Sequence, residues 1–316
     1  MNRLVLIDGN AALHRAYHSI PPMRDPKDRQ VNAVYGFAAM LIKIVADLKP
    51  SHIAVAFDRA APTFRKLMFA GYQSKRPKMD DDLSSQIDIV HELLHAFAIP
   101  TYEHDGFEAD DVIGTIAQKY KEVEQIVIVT GDRDILQLVR DEKVLVYMPT
   151  KGLSEGRLYS EVDVKDRLGV APKEIPDYKA FAGDSSDNYP GVPGIGPKSA
   201  ISFIADFGSV ENLYKHLEQA SNKYSEGVMK KLRDGKDSAF LSKDLATIRT
   251  NAPVDFKEKD CRYVSLDTPD VHAMLAALSF PSLMKRIEKE LGKPMGKPKM
   301  KMEEKSEVSD TQQQLF

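Results

Sequence analysis

The chain has 316 residues, 42% of them hydrophobic, which is enough for one large or two smaller domains with a proper core. Its single cysteine, Cys261, excludes an internal disulfide and is typical of a cytoplasmic protein, the location we expect. No apolar run approaches the ~20 residues of a membrane span, so no membrane association is expected, and the net charge of −3 argues against a uniformly basic nucleic-acid binder.

The first 58 residues predict a strand, a helix and a second strand. The apolar runs 4–7 and 53–57 end in Asp8 and Asp58, and apolar residues recur at helical spacing between positions 33 and 48. Arg15 and His18 follow the first strand. A lone histidine such as His18 is typical of a surface or a helix cap, but near a strand end both side chains could also meet a phosphate.

Residues 59–82 change in character, because basic and aromatic side chains are interleaved there. They are Arg59, Phe64, Arg65, Lys66, Phe69, Tyr72, Lys75, Arg76 and Lys78. Such a mixture suits a nucleic-acid single strand, since rings stack on bases and cations hold phosphates. The alternative is a solvated helix face with a few buried aromatics. The acids at 80–82 that follow are predicted to cap the next helix rather than to bind metal.

Residues 83–160 continue the alternation of helices and strands. A helix is predicted to about residue 97, a short strand at 99–102, an acidic helix from 108, a strand at 126–130, a short helix, a strand at 144–148 and a hairpin or loop at 150–159. This alternation predicts an α/β fold with a mainly parallel sheet and helices on both faces.

Acids accumulate where the predicted strands end, which is where open α/β sheets bind ligands. Asp8, Asp58, Asp132 and Asp134 follow three strands, and residues 108–111 open the acidic helix with three more. A helix dipole explains one or two acids at a helix start. At ~4 Å and an effective dielectric of ~20, each like-charged pair repels by about 4 kcal/mol. The cluster therefore predicts protonation or bound cations, and oxygen ligands favour Mg²⁺ or Mn²⁺. Two such ions suit phosphodiester hydrolysis.

From residue 160 the chain is predicted to be helical. Asp184 and Asp187 add two acids three residues apart. Gly194 and Gly196, followed by Pro197 and Lys198, predict a helix-hairpin-helix whose backbone approaches a phosphate, although an ordinary Gly/Pro turn is the alternative. The Lys-rich segment from 292 has no periodicity, so a disordered tail is expected.

Several sequence motifs, spread over roughly residues 3–290, resemble those of a known protein family. They read LIDGN, RAYH, AFD, FRK, YQSKRP, GFEADD, TGDRD and GDSSDNYPGVPGIGPKSA. Together they resemble the bacterial 5′→3′ exonuclease or flap endonuclease family, which forms the N-terminal domain of DNA polymerase I and also occurs free-standing, as we expect here. The resemblance implies a PIN-like or resolvase-like core at 1–160 with a helical arch at about 60–98. It further implies a helical DNA-binding region at 161–291, with the helix-hairpin-helix at about 184–205, and a tail at 292–316.

The resemblance also implies site residues. The acids that it makes metal ligands and catalytic residues are Asp8, Asp58, Glu108, Asp110, Asp111, Asp132, Asp134, Asp184 and Asp187. They would hold two Mg²⁺ or Mn²⁺ ions, the first on the early strands and acidic helix and the second mainly on Asp132, Asp134 and Asp187. Arg76 is implied as catalytic, and K⁺ as a ligand of the helix-hairpin-helix. The residues implied to contact DNA are Arg15, His18, Arg65, Tyr72, Lys75, Arg76, Gly194, Gly196 and Lys198.

One position departs from the family pattern. The family usually has Tyr-Lys-x-x-Arg, with the lysine near the scissile phosphate, whereas this chain has Gln73 there and its nearest lysine, Lys75, two positions on. A glutamine supplies no charge, so the rate rather than the reaction type is affected.

The implied substrates are DNA, or RNA–DNA, with a 5′ flap, a nick or a single-stranded 5′ end, in Okazaki fragment processing and repair. The alternatives are a PIN-like ribonuclease, which has neither arch nor helix-hairpin-helix, and a non-catalytic DNA-binding scaffold, in which so many acids would only repel DNA.

The final Q-x-x-L-F resembles a sliding-clamp motif, so Gln312, Leu315 and Phe316 are predicted to bind a clamp. We expect a monomer.

Overall fold

The structure is a computed structural model that describes residues 2–120, 122–151 and 155–291, with the side chains of positions 151 and 155 left aside. The predicted disordered tail at 292–316, with Gln312, Leu315 and Phe316, lies outside the described residues.

The strands form one twisted layer at the centre of the described chain. They are β1 (Arg3–Asp8), β2 (His52–Ala56), β3 (Thr101–Tyr102), β4 (Gln125–Val129), β5 (Val144–Lys151) and β6 (Glu155–Tyr159). Their order across the sheet is β3-β2-β1-β4-β5-β6, and every neighbouring pair is parallel except β5 and β6. The mainly parallel sheet is confirmed, and the predicted hairpin or loop after residue 150 is the antiparallel β5–β6 pair.

The α-helices of the described residues flank this sheet and build the C-terminal half. They are α1 (Gly9–Ser19), α2 (Asn32–Leu48), α3 (Phe64–Met68), α4 (Asp81–Ser84), α5 (Ile87–Ala96), α6 (Ala109–Lys119), α7 (Glu161–Leu168), α8 (Ile175–Ala182), α9 (Pro197–Phe207), α10 (Val210–Lys215), α11 (Leu217–Ala220), α12 (Glu226–Asp234), α13 (Lys236–Ala246), α14 (Pro269–Ala277) and α15 (Pro281–Glu290). Among these helices, none is both long and apolar enough to cross a membrane.

Both faces of the sheet are covered, because successive residues of a strand point to opposite sides. Leu4 and Leu6 of β1 pack in one core with α6, whereas Val5 and Ile7 pack in a second core with α1 and α2. The first core continues without a break into the C-terminal helices, where the rings of Phe181 and Phe203 meet edge to face at 5.2 Å. The helical half is therefore built onto the sheet, and α14 and α15 return to the second core.

The segment predicted as a helical arch at about 60–98 is helical in α3, α4 and α5 and forms turns between α3 and α4. Those turns lie against the loop that follows α8. The Gln73 amide donates to the carbonyl oxygen of Asp187 at 2.8 Å, and the Asn188 side chain donates to the carbonyl oxygen of Gly71 at 2.7 Å. These contacts bring the basic segment over the acidic edge of the sheet.

The register explains why the acids meet at one edge. Asp8 pairs with Ala56 and Ile7 pairs with Val129, so the chain leaves β1, β2 and β4 at the same level. Asp58 and Asp132 follow β2 and β4 by two and three residues. The carboxyl edge of the sheet is therefore the place where the functional site is positioned.

Candidate active site

A cavity of about 380 Å³ opens at this edge, and most of the predicted acids line it. They are Asp8, Asp58, Glu108, Asp110, Asp132, Asp134 and Asp187. Their elements are separate in sequence, but the parallel register and the start of α6 bring them together. The cavity therefore concentrates negative charge in a space of a few side chains.

Asp8 is fixed by the local structure at the end of β1. Its Oδ1 accepts from the Ala11 amide at 2.9 Å, which makes it the N-cap of α1, and its Oδ2 accepts from the Thr130 hydroxyl at 2.7 Å. Burial, opposed by these hydrogen bonds, raises the pKa of Asp8 to about 6. The hydrogen bonds that hold this carboxylate favour its ionised form, whereas burial disfavours it. A bound cation would also favour the ionised form.

The start of α6 supplies the next two acids of the cavity. Asp58 accepts from the Ala109 amide at 2.7 Å and so ties the end of β2 to this helix start. Burial raises the pKa of Glu108 to about 7, and burial together with the charges of Asp132 and Asp8 raises the pKa of Asp110 well above its usual range. These acids crowd one another, and raised pKa values of this kind are typical of functional sites.

A second group of acids lies beside the first. Asp134, Asp184 and Asp187 each offer a carboxylate oxygen, and these oxygens lie within 4.8 Å of one another. Of the three, Asp184 does not line the cavity itself. The charge of Asp132 acts on Asp8 and Asp110 and also on Asp134, so Asp132 interacts with both groups, and its predicted place at the second ion stays a prediction.

Lys179 is a member of this second group that the sequence analysis missed. Its ammonium pairs with both Asp134 and Asp184. Partial burial opposes ionisation of Asp184, but Lys179 and the Ser186 hydroxyl hold its pKa at about 2. The signal available in the sequence is a lysine in the middle of a short, mainly apolar helix, five residues before Asp184. The two ion pairs of Lys179 show that this group of acids attracts positive charge.

The donor set fits hard divalent cations. Every candidate ligand is a carboxylate oxygen, which Mg²⁺, Mn²⁺ and Ca²⁺ accept, and the carboxylates are drawn close despite their mutual repulsion. The acid cluster therefore fits metal-dependent catalysis.

The geometry does not fit the predicted roles of Arg65 and Asp111. Asp111 is 0% exposed, and its two oxygens accept from the guanidinium of Arg65 at 2.7 and 2.9 Å. The amides of Arg249 and Glu108 also donate to Asp111, at 2.7 and 3.1 Å. The carboxylate is thus saturated by protein donors, which leaves it unavailable to a metal. Arg65, 2% exposed and also bonded to the Leu245 carbonyl oxygen, is likewise not free to contact DNA.

Tyr72 and Lys75 also lie differently from the prediction. The ring of Tyr72 is buried against Tyr189, and its hydroxyl donates to Glu108 at 3.1 Å and to Asp187 at 3.3 Å, so its face is not open to a base. Lys75 is exposed but does not line the cavity. Tyr72 therefore organises the acids, and a DNA contact by Lys75 stays a prediction.

Arg76 reaches the cavity as predicted. Its guanidinium pairs with Asp187 at 2.5 Å while 48% of the side chain remains exposed. Gln73 lines the same cavity with a backbone φ of 54°. The sequence analysis did not single out His14, although it also lines the cavity.

The remaining predicted DNA contacts lie on α1 and at the start of α9. His18 is exposed with its ring beside those of His14 and Tyr17, and Arg15 is half-buried on the same helix. Gly194, Gly196 and Lys198 are exposed at the loop before α9. Their contacts with DNA stay predictions.

In the loop before α9, Gly194 adopts a φ of 80°, which favours glycine, and its carbonyl oxygen accepts from Lys231 at 3.0 Å. Gly196 is the N-cap of α9.

A resolvase-like α/β core that carries such an acid-lined cavity defines a nuclease, and family models specify which one. Residues 3–169 match the 5′-3′ exonuclease, N-terminal resolvase-like domain, and residues 170–269 match the 5′-3′ exonuclease, C-terminal SAM fold. The chain belongs to the 5′→3′ exonuclease family, whose members hydrolyse phosphodiester bonds in DNA.

Curated relatives agree with this family. The chain is 39% identical over 289 residues to DNA polymerase I of Bacillus subtilis (strain 168), covering 91% of this chain and 32% of that protein. It is 37% identical over 291 residues to DNA polymerase I of Mycobacterium leprae (strain TN), covering 91% and 31%. The chain thus spans about a third of the length of these relatives.

Solved structures share the fold. The T5 D15 protein co-crystallised with metal ions aligns with a TM-score of 0.66 at 19% identity, over 92% of this chain and 99% of that one. The catalytic core of Rad2 in complex with DNA substrate aligns with a TM-score of 0.63 at 18% identity, over 92% of both chains.

Proposed function

We propose that this nuclease is a divalent-metal-dependent 5′→3′ exonuclease and 5′-flap endonuclease that acts on DNA and RNA–DNA junctions in Okazaki fragment processing and repair. The observation that carries the proposal is the cavity in which acids from β1, β2, β4, α6 and the loop after α8 converge. Bound Mg²⁺ or Mn²⁺ ions would neutralise a phosphate oxygen and activate the attacking water there. The T5 protein with metal ions and the Rad2 core with DNA substrate support the choice of cofactor and substrate.

In this proposal the acids divide into two sets of ligands. Asp8, Asp58, Glu108 and Asp110 would hold one ion, because their charges act on one another. Asp132 would serve either set, because its charge acts on Asp8, Asp110 and Asp134. Asp134, Asp184 and Asp187 would hold the second, because their oxygens are mutually close. Lys179 competes for the second set, so it must shift when an ion binds. Asp111 is left out of both sets, since Arg65 saturates it.

The chain's other residues bind and orient the DNA. Arg76 is exposed enough to leave Asp187 for a phosphate once a cation balances that carboxylate. The amides at the start of α9, with Lys198, would hold a duplex phosphate, and K⁺ would bind the carbonyl oxygens of the same loop. Arg15 and His18, on α1, would contact further phosphates.

The wider setting is also part of the proposal. A single buried cysteine suits a cytoplasmic enzyme, and we propose that it acts as a monomer. The final Gln312, Leu315 and Phe316 would dock on a bacterial sliding clamp, which brings the nuclease to its junctions.

The test is incubation with a 5′-flap DNA, a nicked duplex and an RNA hairpin, each with Mg²⁺ or with EDTA. Cleavage of the two DNA substrates with Mg²⁺ alone, and release of 5′-phosphate ends, are the expected results. Cleavage of only the hairpin would favour the ribonuclease alternative. Binding of DNA without cleavage under either condition would favour the scaffold.

A further inference from the structure

The basic side chains that line the acidic cavity differ in what they are free to do. Arg59 pairs with Glu103 at 3.4 Å and with Asp105 at 2.8 Å, and neither of these acids lines the cavity. Arg65 is held by Asp111, and Arg76 is held by Asp187. Each of these cations is already balanced by an anion.

Lys66 is the exception among the described residues of this lining. It is exposed on α3, directly after Arg65, and it forms neither an ion pair nor a hydrogen bond. It lines the same cavity as Asp58 and the other acids. Lys66 therefore projects an unbalanced positive charge into the space beside the acids.

The unpaired positive charge of Lys66 can attract a substrate phosphate into the acidic cavity. A phosphodiester that enters a cavity lined by carboxylates is repelled until positive charge meets it. Lysine suits this role because its ammonium is a compact charge with three donors on a flexible stem. Gln73 lines the same cavity but offers only an amide, so it cannot supply that charge.

We propose that Lys66 binds the substrate phosphate at the mouth of this cavity and supplies the cation that Gln73 lacks. The inference rests on the proposed nuclease function. The buried Arg65–Asp111 pair anchors α3 and so sets the place of Lys66. Lys75 does not line the cavity, so it is not expected to share the role.

The test compares Lys66→Ala, Lys66→Arg and Lys285→Ala with the wild type on a 5′-flap DNA with Mg²⁺, at saturating enzyme in single-turnover experiments. Lys66→Ala should slow cleavage by about 10- to 100-fold, as expected for one charge-assisted hydrogen bond. Lys66→Arg should recover most of the rate because it keeps the charge. Lys285→Ala, at an exposed lysine on α15 outside the cavity lining, is the control and should cleave like the wild type.

A double variant tests whether a lysine at position 73 can replace the positive charge of Lys66. Lys66→Ala/Gln73→Lys should cleave faster than Lys66→Ala alone, which a purely structural role for Lys66 would not produce. Unchanged melting temperatures establish that each variant folds. If the wild type cleaves and Lys66→Ala cleaves equally fast, or if the second lysine restores nothing, the inference is wrong. If the wild type does not cleave any DNA, the proposed function itself fails.

Discussion

The guanidinium of Arg65 donates two hydrogen bonds to the carboxylate of Asp111, of 2.7 and 2.9 Å, and both side chains are buried. The pair joins α3 to the start of α6, and the carbonyl oxygens of Leu245 and Thr247 tie it to the end of α13. Two residues that belong to nuclease motifs thus hold together the elements around the cavity.

Arg65→Ala should therefore destabilise the protein by about 3–5 kcal/mol, because it leaves the Asp111 carboxylate buried without a partner. Thermal or urea unfolding measures this loss. Arg65→Met with Asp111→Leu should recover part of it, since both charges are removed. If an Arg65 variant keeps its stability but binds DNA weakly, that result would support the original prediction that Arg65 contacts DNA.

Arg76→Ala should behave in the opposite way. Its side chain is half-exposed and contacts one acid of the cavity, so its loss should leave the unfolding free energy nearly unchanged. Flap cleavage should fall by a large factor, because the cation that meets the phosphate is lost. Steady-state cleavage and a melting curve on the same preparation distinguish the two effects. A melting temperature that falls as far as in Arg65→Ala would contradict this division.

Asp132→Ala and Asp187→Ala should abolish cleavage with Mg²⁺ while DNA binding stays intact or becomes tighter, because a repulsive charge disappears. The measurements are flap cleavage with Mg²⁺ and DNA affinity in EDTA. Asp166→Ala is the control, since Asp166 is exposed on α7 away from the cavity lining. Wild-type turnover by either cavity variant would rule out the proposed metal sites.

Lys198→Glu should weaken duplex binding to a similar extent for every sequence and reduce the salt dependence of binding by about one phosphate contact. The measurement is duplex affinity over a range of KCl concentrations. Lys285→Glu, on α15, reverses an exposed lysine elsewhere and serves as the control. An unchanged salt slope for Lys198→Glu would mean that the start of α9 does not touch DNA.

The final residues should bind a clamp through an apolar anchor. A labelled peptide of residues 311–316 and the full-length protein should bind a bacterial sliding clamp, and Leu315→Ala/Phe316→Ala should remove that binding. Cleavage of naked flaps should be unaffected. Equal binding by the wild type and the double variant would end this idea.

Local physics explains what the sequence alone determined. Buried parallel strands are short apolar runs, and the carboxyl ends of such strands share one edge, so Asp8, Asp58 and Asp132 are predictable as neighbours. The helical periodicity after residue 108 places three acids at one helix start in the same way. The fold class and most of the acidic cavity follow from these two patterns, and the family resemblance adds the reaction.

Tertiary packing decided which of those charged residues are free to act. Asp111 is next to Asp110 in sequence, yet only Asp110 lines the cavity, because the backbone turns Asp111 towards Arg65 and the end of α13. Lys179 meets Asp134 across 45 positions of sequence. Ion pairing over such distances depends on how α3, α8 and α13 dock on the sheet, and no local pattern encodes that docking. For the same reason, only the structure shows that Lys66 remains unpaired beside the acids.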